Sequence, residues 1–221
     1  MASAPQTKPG IRDALIVVDV QNDFCPGGRL AVQKGDEVVP LVNAFAGRFE
    51  NVVLTQDWHP PGHRSFATSH PGSKPFDSVK LAYGVQVLWP DHCVPGTPGA
   101  QLHPGLDTLA ADLVVRKGTD PAIDSYSALY ENDHRTSTGL AGYLRDRGCR
   151  RLFLAGLATD FCVQYSALDA RREGFEVFVV EDAVRGIDLE GSLAAAWERM
   201  AVAGVRRVRE ADLEPRDRER P

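Results

Sequence analysis

Long apolar runs are missing from this chain of 221 residues. None approaches the roughly 18 residues that a membrane-spanning helix needs, so no membrane partner is expected. The opening stretch MASAPQTKPG lacks the apolar centre of a secretory signal. Cysteine is scarce: Cys25, Cys93, Cys149 and Cys162 form no CxxC pair and are too sparse for a disulfide scaffold. These absences point to a reducing, cytoplasmic setting. Basic residues are not in excess either. Lys plus Arg is 25 against 30 for Asp plus Glu, a net charge of -5, which argues against a nucleic-acid partner. The short basic clusters at 145–151 and 206–209 read as solvated surface.

What is present is the material of one sizeable domain. Hydrophobic residues make up 43% and charged residues 25%, ordinary proportions for a globular chain of this length. Uninterrupted, β-branched runs at 14–18, 52–54, 113–116, 151–155, 177–180 and 205–208 have the texture of strands buried on both faces. Helix-period segments separate them at about 36–49, 138–147, 163–173 and 189–203. Alternating strands and helices predict a three-layer α/β/α fold on a mainly parallel sheet of about six strands. Neither a repeat nor a linker divides the chain, which predicts a single domain over 13–210 between flexible tails at 1–12 and 211–221. Residues 60–105 differ, being rich in Pro, Gly, Ser and His with little periodicity. So long an insert is expected to cover or bind something.

In open parallel sheets, ligands bind beyond the carboxyl ends of the strands. Here the first strand ends at Asp19, the second at Asp57 and His59, the third at Lys117, and the fourth runs into Gly156–Val163. Thr159 or Asp160 is the expected N-cap of the helix that follows. Cys162 then falls in its first turn, where unpaired N–H groups and the helix dipole favour a thiolate. Acid, amine and thiol on one rim suit acyl transfer through a thioester. Cys162 is the nucleophile, Asp19 takes its proton and later delivers it to the departing amine, and Lys117 stabilises the charge. The N–H groups around Ala158 and Cys162 would hold the oxyanion. Each residue also has a plainer reading: Asp19 as a turn cap, Lys117 as an exposed charge, Cys162 as a small core hydrophobe.

A second constellation is metal-like. In an extended segment, residues i and i+2 point the same way, so Asp57 and His59 can share one ion. His92, from the irregular insert, is a candidate third ligand. Two imidazoles and a carboxylate suit a first-row divalent ion: Zn, Fe or Mn.

Five ordered segments carry a resemblance to known proteins: VDVQNDFC at 18–25, QDWHP at 56–60, WPDHCV at 89–94, KGTD at 117–120 and GLATDFCV at 156–163. In these segments the chain resembles nicotinamidases of the isochorismatase-like cysteine hydrolase superfamily, and the likeness spans about residues 14–208. The resemblance implies a catalytic set of Asp19, Lys117 and Cys162 and a metal held by Asp57, His59 and His92 with waters. Ser65 occupies a further metal-side position. It also implies that Phe24, Trp89 and Tyr126 surround a pyridine ring and that the Leu157–Ala158 bond is cis. The activity implied is hydrolysis of nicotinamide, and of pyrazinamide, to the acid and ammonia in NAD salvage. Two alternatives stand beside it: an amidase of the same superfamily acting on an N-carbamoyl or ureido substrate, and a non-catalytic binding protein on this fold. Isochorismatases proper lack the nucleophilic cysteine, so Cys162 argues against vinyl-ether hydrolysis. Whether the chain assembles into a homo-oligomer is left open.

Overall fold

The apolar runs become strands in the computed structural model, which describes residues 8–214. In chain order the elements are β1 (Asp13–Val18), α1 (Val38–Ala46), β2 (Asn51–Asp57), β3 (Ser78–Leu81), β4 (Gly84–Val87) and β5 (Leu113–Lys117). Then come α2 (Leu140–Asp146), β6 (Arg151–Leu157), α3 (Gln164–Arg172), β7 (Glu176–Arg185), α4 (Ser192–Val202) and β8 (Arg206–Val208). Six strands form one sheet in the order β5-β2-β1-β6-β7-β8, and every neighbouring pair is parallel.

Alternation along the strands divides the core into two layers. Leu15, Val17, Val52, Leu54 and Phe153 face α1, packing with Val38, Val42 and Phe45. Ala14, Ile16, Val53, Leu152 and Leu154 face the other side, with Leu140 and Leu144 of α2, Ala167 of α3 and Met200 of α4. Each such large side chain contributes about 1.5–3 kcal/mol by burial, which holds the sheet between its helical layers. The chain runs outward from β1 through β2 to β5, then returns to place β6 beside β1. The topological switch therefore lies between β1 and β6, the crevice where such sheets bind ligands.

The insert is better organised than its composition suggests. It holds the antiparallel hairpin β3–β4, whose four-residue strands are too short and too exposed to show a period. The helices are also shorter than their apolar spacing predicts. The first is preceded by a 3-10 turn at Gly35–Glu37, and the second begins only after Gly139 in the left-handed region. The expected tails extend less far inward than read from the sequence, within the described residues. The Arg12 carbonyl accepts from the Arg150 N–H at 2.7 Å, and Leu213 is buried with its carbonyl bound by Arg48 at 2.5 Å. Residues 1–7 and 215–221 lie outside the described residues. Among the described residues, no helix is long and apolar enough to cross a membrane.

Candidate active site

The carboxyl ends of β1, β2, β5 and β6 bring together the side chains named from their strand-end positions. Asp19 follows β1 in the left-handed region (φ 47°), a conformation that aspartate tolerates better than most residues. Its Oδ1 accepts from Thr55 Oγ1 at 2.5 Å, and its Oδ2 lies 2.8 Å from Lys117 Nζ. Lys117 Nζ also donates to Asp57 Oδ1, to the Ser125 carbonyl at 2.8 Å and to Cys162 Sγ at 3.4 Å. Asp19, Lys117 and Cys162 are all buried, so one ammonium sits between two carboxylates and a thiol with almost no solvent to screen it.

This burial changes the expectation for the thiol. Desolvation pushes Cys162 well above the ordinary cysteine value; Lys117 opposes that shift, and Asp19 and Asp57 add to it. Burial thus works against the low thiol expected from a helix start. Burial also raises the Asp19 carboxyl, against the pull of Lys117. Donor and acceptor are therefore shifted in the same direction, and a carboxylate oxygen of Asp19 lies within 4.8 Å of Cys162 Sγ. Asp57 behaves differently. Burial opposes its ionisation, but Lys117 and His59 prevail and hold it well below the usual carboxylate range.

The turn carrying the cysteine also departs from the sequence reading. Residues Thr159–Val163 form a single π-type turn ahead of α3, and no side chain caps it. Neither Thr159 nor Asp160 serves as N-cap. The Asp160 carboxylate is engaged instead by Ile187, Asp188 and Ser192. The Leu157–Ala158 peptide bond is cis.

Asp57, His59 and His92 are buried, with one ligand atom from each within 4.8 Å of the others. The site fits a divalent cation on its own geometry. Asp57 Oδ2 faces the Nε2 atoms of His59 and His92 at 3.4 and 3.6 Å. The Nδ1 atom of His59 is 3.1 Å from the Gly118 carbonyl, and that of His92 is 2.8 Å from the Pro90 carbonyl. Donation from Nδ1 to those carbonyls leaves both Nε2 atoms, close to each other and to the carboxylate, as the ones that can ligate. Gly118 has φ 67°, and a Cβ there would sit 2.3 Å from the His59 ring. Only glycine lets β5 pass so close behind the ligand. Ser65 is buried near this set, with its hydroxyl 2.7 Å from His63 Nδ1. A second group of potential ligand atoms shares His59 and adds His63 and Asp124.

A narrow pocket, with a cavity volume of about 20 Å³, lies over the sulfur and the ligand set, lined by Phe24, Trp89, Tyr126, Phe161, Ile187 and Cys162 among others. Trp89 Nε1 donates to Tyr126 Oη at 3.1 Å, and its ring meets Phe161 edge-on at 4.9 Å between centroids. Phe24, Trp89 and Tyr126 are thus together in one aromatic pocket. Leu30, Asp124, Phe161 and Ile187 also line it and were not read from the sequence. Phe161 carried a signal, being adjacent to the candidate nucleophile. Leu30 and Ile187 belong to loops whose approach no local pattern announces.

This fold and site define a thiol hydrolase: a parallel α/β/α protein with cysteine, lysine and aspartate at the sheet's switch point beside a cation-binding set. The chain belongs to the Isochorismatase domain family, whose pattern it matches over residues 13–211. It is 53% identical to the nicotinamidase of Acinetobacter baylyi over 195 residues, 88% of this chain and 91% of that one. A solved nicotinamidase pyrazinamidase from Acinetobacter baumanii superposes with a TM-score of 0.91 at 55% identity, covering 92% of this chain and 98% of that one. PnC1 from L. infantum, solved in complex with nicotinate, has a TM-score of 0.83 at 40% identity over 95% and 98% of the two chains. Pyrazinamidase of Pyrococcus horikoshii, solved in complex with zinc, has a TM-score of 0.73 at 38% identity over 90% and 99%.

Proposed function

We propose that this protein is a nicotinamidase, hydrolysing nicotinamide to nicotinate and ammonia, with pyrazinamide as a second substrate. The observation that carries the reading is the Lys117 ammonium bonded at once to Cys162 and two buried carboxylates, with Cys162 and Asp57 lining an aromatic pocket. The carboxamide carbon is attacked by Cys162 Sγ while Asp19 takes the thiol proton. The N–H groups of Ala158 and Cys162 receive the negative oxygen. Asp19 returns the proton to the nitrogen, the C–N bond breaks, and ammonia leaves a thioester. Water then attacks that thioester with Asp19 as base. The sulfur recovers its proton and nicotinate is released. Lys117 keeps the site's charge balanced at each stage.

Phe24, Trp89 and Tyr126 hold the pyridine ring by flat apolar contact. Asp57, His59 and His92 would hold one divalent cation. Zinc is assigned first because of the zinc-bound pyrazinamidase, and Fe or Mn suits the same donors. When bound, the cation supplies a Lewis-acid point for the ring nitrogen, which orients the carboxamide. Ser65, with its hydroxyl engaged by His63, is assigned to the outer side of the ligand set. The four unpaired thiols suit a cytoplasmic enzyme serving NAD salvage.

The test is ammonia release from nicotinamide and pyrazinamide by the purified protein and by Cys162→Ala. Wild-type turnover with loss in the variant is expected; an inert wild type ends the proposal. Metal analysis separates the N-carbamoyl or ureido reading, which requires no cation at Asp57, His59 and His92.

A further inference from the structure

Asp160 stands two residues before the nucleophile, buried, yet its carboxylate turns away from the chemistry. Its Oδ1 accepts from the Ile187 N–H at 2.9 Å, and its Oδ2 accepts from the Asp188 N–H at 2.8 Å and from the Ser192 hydroxyl. Ile187 and Asp188 belong to the connection between β7 and α4, and Ser192 is the first residue of α4. That connection is an unfavourable one to hold by itself. Asp188 (φ 58°), Glu190 (φ 50°) and Gly191 (φ 84°) all lie in the left-handed region, where two of the three incur a steric cost. The approach is also close. A Cβ on Gly186 would come within 3.1 Å of Asp160 Oδ1 and 2.8 Å of the Leu193 side chain. The first residue so held, Ile187, lines the pocket beside Phe161 and Cys162.

We propose that Asp160 is a positioning residue: by fastening the 187–192 connection to the nucleophile turn, it fixes Ile187 as a rigid wall that limits the size of the ring the pocket accepts. The inference rests on the reading of the Cys162 pocket as the amide-hydrolysing site, and goes beyond it by assigning the origin of ring selectivity. Three hydrogen bonds to one buried carboxylate outweigh what a surface loop contact can do, because charge-assisted bonds are about twice as strong as neutral ones. A wall held this firmly cannot yield to a larger substituent. In a rigid apolar pocket, one extra methylene changes kcat/KM by about 10–200-fold. A wall that moves forfeits that discrimination.

The experiment compares nicotinamide with a nicotinamide bearing an ethyl group on the ring carbon furthest from steric hindrance at the carboxamide. Wild type, Ile187→Ala, Ser192→Ala, Ser192→Thr, Asp160→Ala and the Asp160→Ala/Ile187→Ala double variant are each assayed for kcat and KM. The expected result is about a tenfold or greater fall in the preference for nicotinamide in Ile187→Ala and Asp160→Ala. Ser192→Ala, which removes one bond of three, should show a smaller fall that Ser192→Thr restores. In the double variant the preference should fall no further than in Ile187→Ala alone, because Asp160 acts through that wall. If Asp160→Ala does not fold, the Ser192 pair and Ile187→Ala still decide the matter. Unchanged ring preference in Ser192→Ala and Ile187→Ala, with nicotinamide still turned over by wild type, overturns the proposal. Wild type inert towards nicotinamide instead overturns the functional reading on which it rests.

Discussion

Lys117 shows how much one side chain can carry. Its ammonium is fully buried and compensates Asp19 and Asp57 together. Removing one partner from a buried ion pair leaves an uncompensated charge and costs about 3–5 kcal/mol. Lys117→Met is therefore expected to lower unfolding stability by about that amount and to abolish ammonia release; denaturant unfolding and the amide assay check the two halves separately. Glu131 is the opposite case, a buried carboxyl without a compensating cation in contact. Its Oε2 has no hydrogen-bond partner. Burial pushes the group up to about 7 from its ordinary 4.5; nearby Asp124 adds to the shift and Lys117 opposes it. Between those values the folded state holds a proton that the unfolded state has released. Stability from this group is thus fully present below about pH 4.5 and is lost as pH rises through about 7. Glu131→Gln removes the charge and should raise stability at pH 8 by on the order of 1–2 kcal/mol after solvent screening. Below about pH 5 the two proteins should unfold alike. A variant less stable than wild type at pH 8 would show that the ionised carboxylate has a favourable partner.

Where elements meet, the site depends on how closely backbones can pass. β5 ends in Lys117 and turns at Gly118 directly behind His59. Gly118→Ala forces either the turn or the imidazole to move, so the variant should fold but bind zinc at least tenfold more weakly by titration. Nearly unchanged affinity would mean that the ring has room to retreat. This junction also marks what could be read from the residues alone. Asp19, Asp57, Lys117 and Cys162 were legible because uninterrupted apolar runs announce parallel strands, and parallel strands share one functional edge. The hairpin β3–β4 was not, since Gln86 is buried in it as a polar residue. Its amide donates to Asp124 Oδ2 at 2.7 Å and Tyr126 Oη at 2.9 Å, bonds between segments about 40 positions apart in sequence. Asp160 misled for a related reason. An acid after a strand suggests a local cap, whereas here its three partners come from beyond β7. The burial that pushes the Cys162 thiol up was illegible too, because a helix-start argument is local and desolvation is a property of the whole site.

At the scale of the whole molecule, the candidate cation set joins the main sheet to the insert. Asp57 ends β2 on the main sheet, His59 lies two residues beyond it, and His92 comes from the insert after the hairpin. An ion shared by these three ties the insert to the sheet in the folded state and has no comparable site in the unfolded chain. Its binding free energy therefore adds to folding stability. At a free concentration of 100 times Kd the gain is about 2.7 kcal/mol. For a chain of this size each kcal/mol raises Tm by about 2–4 °C, so saturating zinc should raise it by about 5–10 °C over chelated protein. Calorimetry with and without a chelator measures this, and restoring zinc should restore both Tm and nicotinamide turnover. His92→Ala offers the sharper form of the experiment, because it removes the ligand contributed by the insert while leaving Asp19, Lys117 and Cys162 intact. Its Tm should match that of the chelated wild type and no longer respond to zinc. If the wild type's own Tm were indifferent to the metal, the insert would have to be held by its protein contacts alone. The three donors would then serve substrate orientation without contributing to the fold.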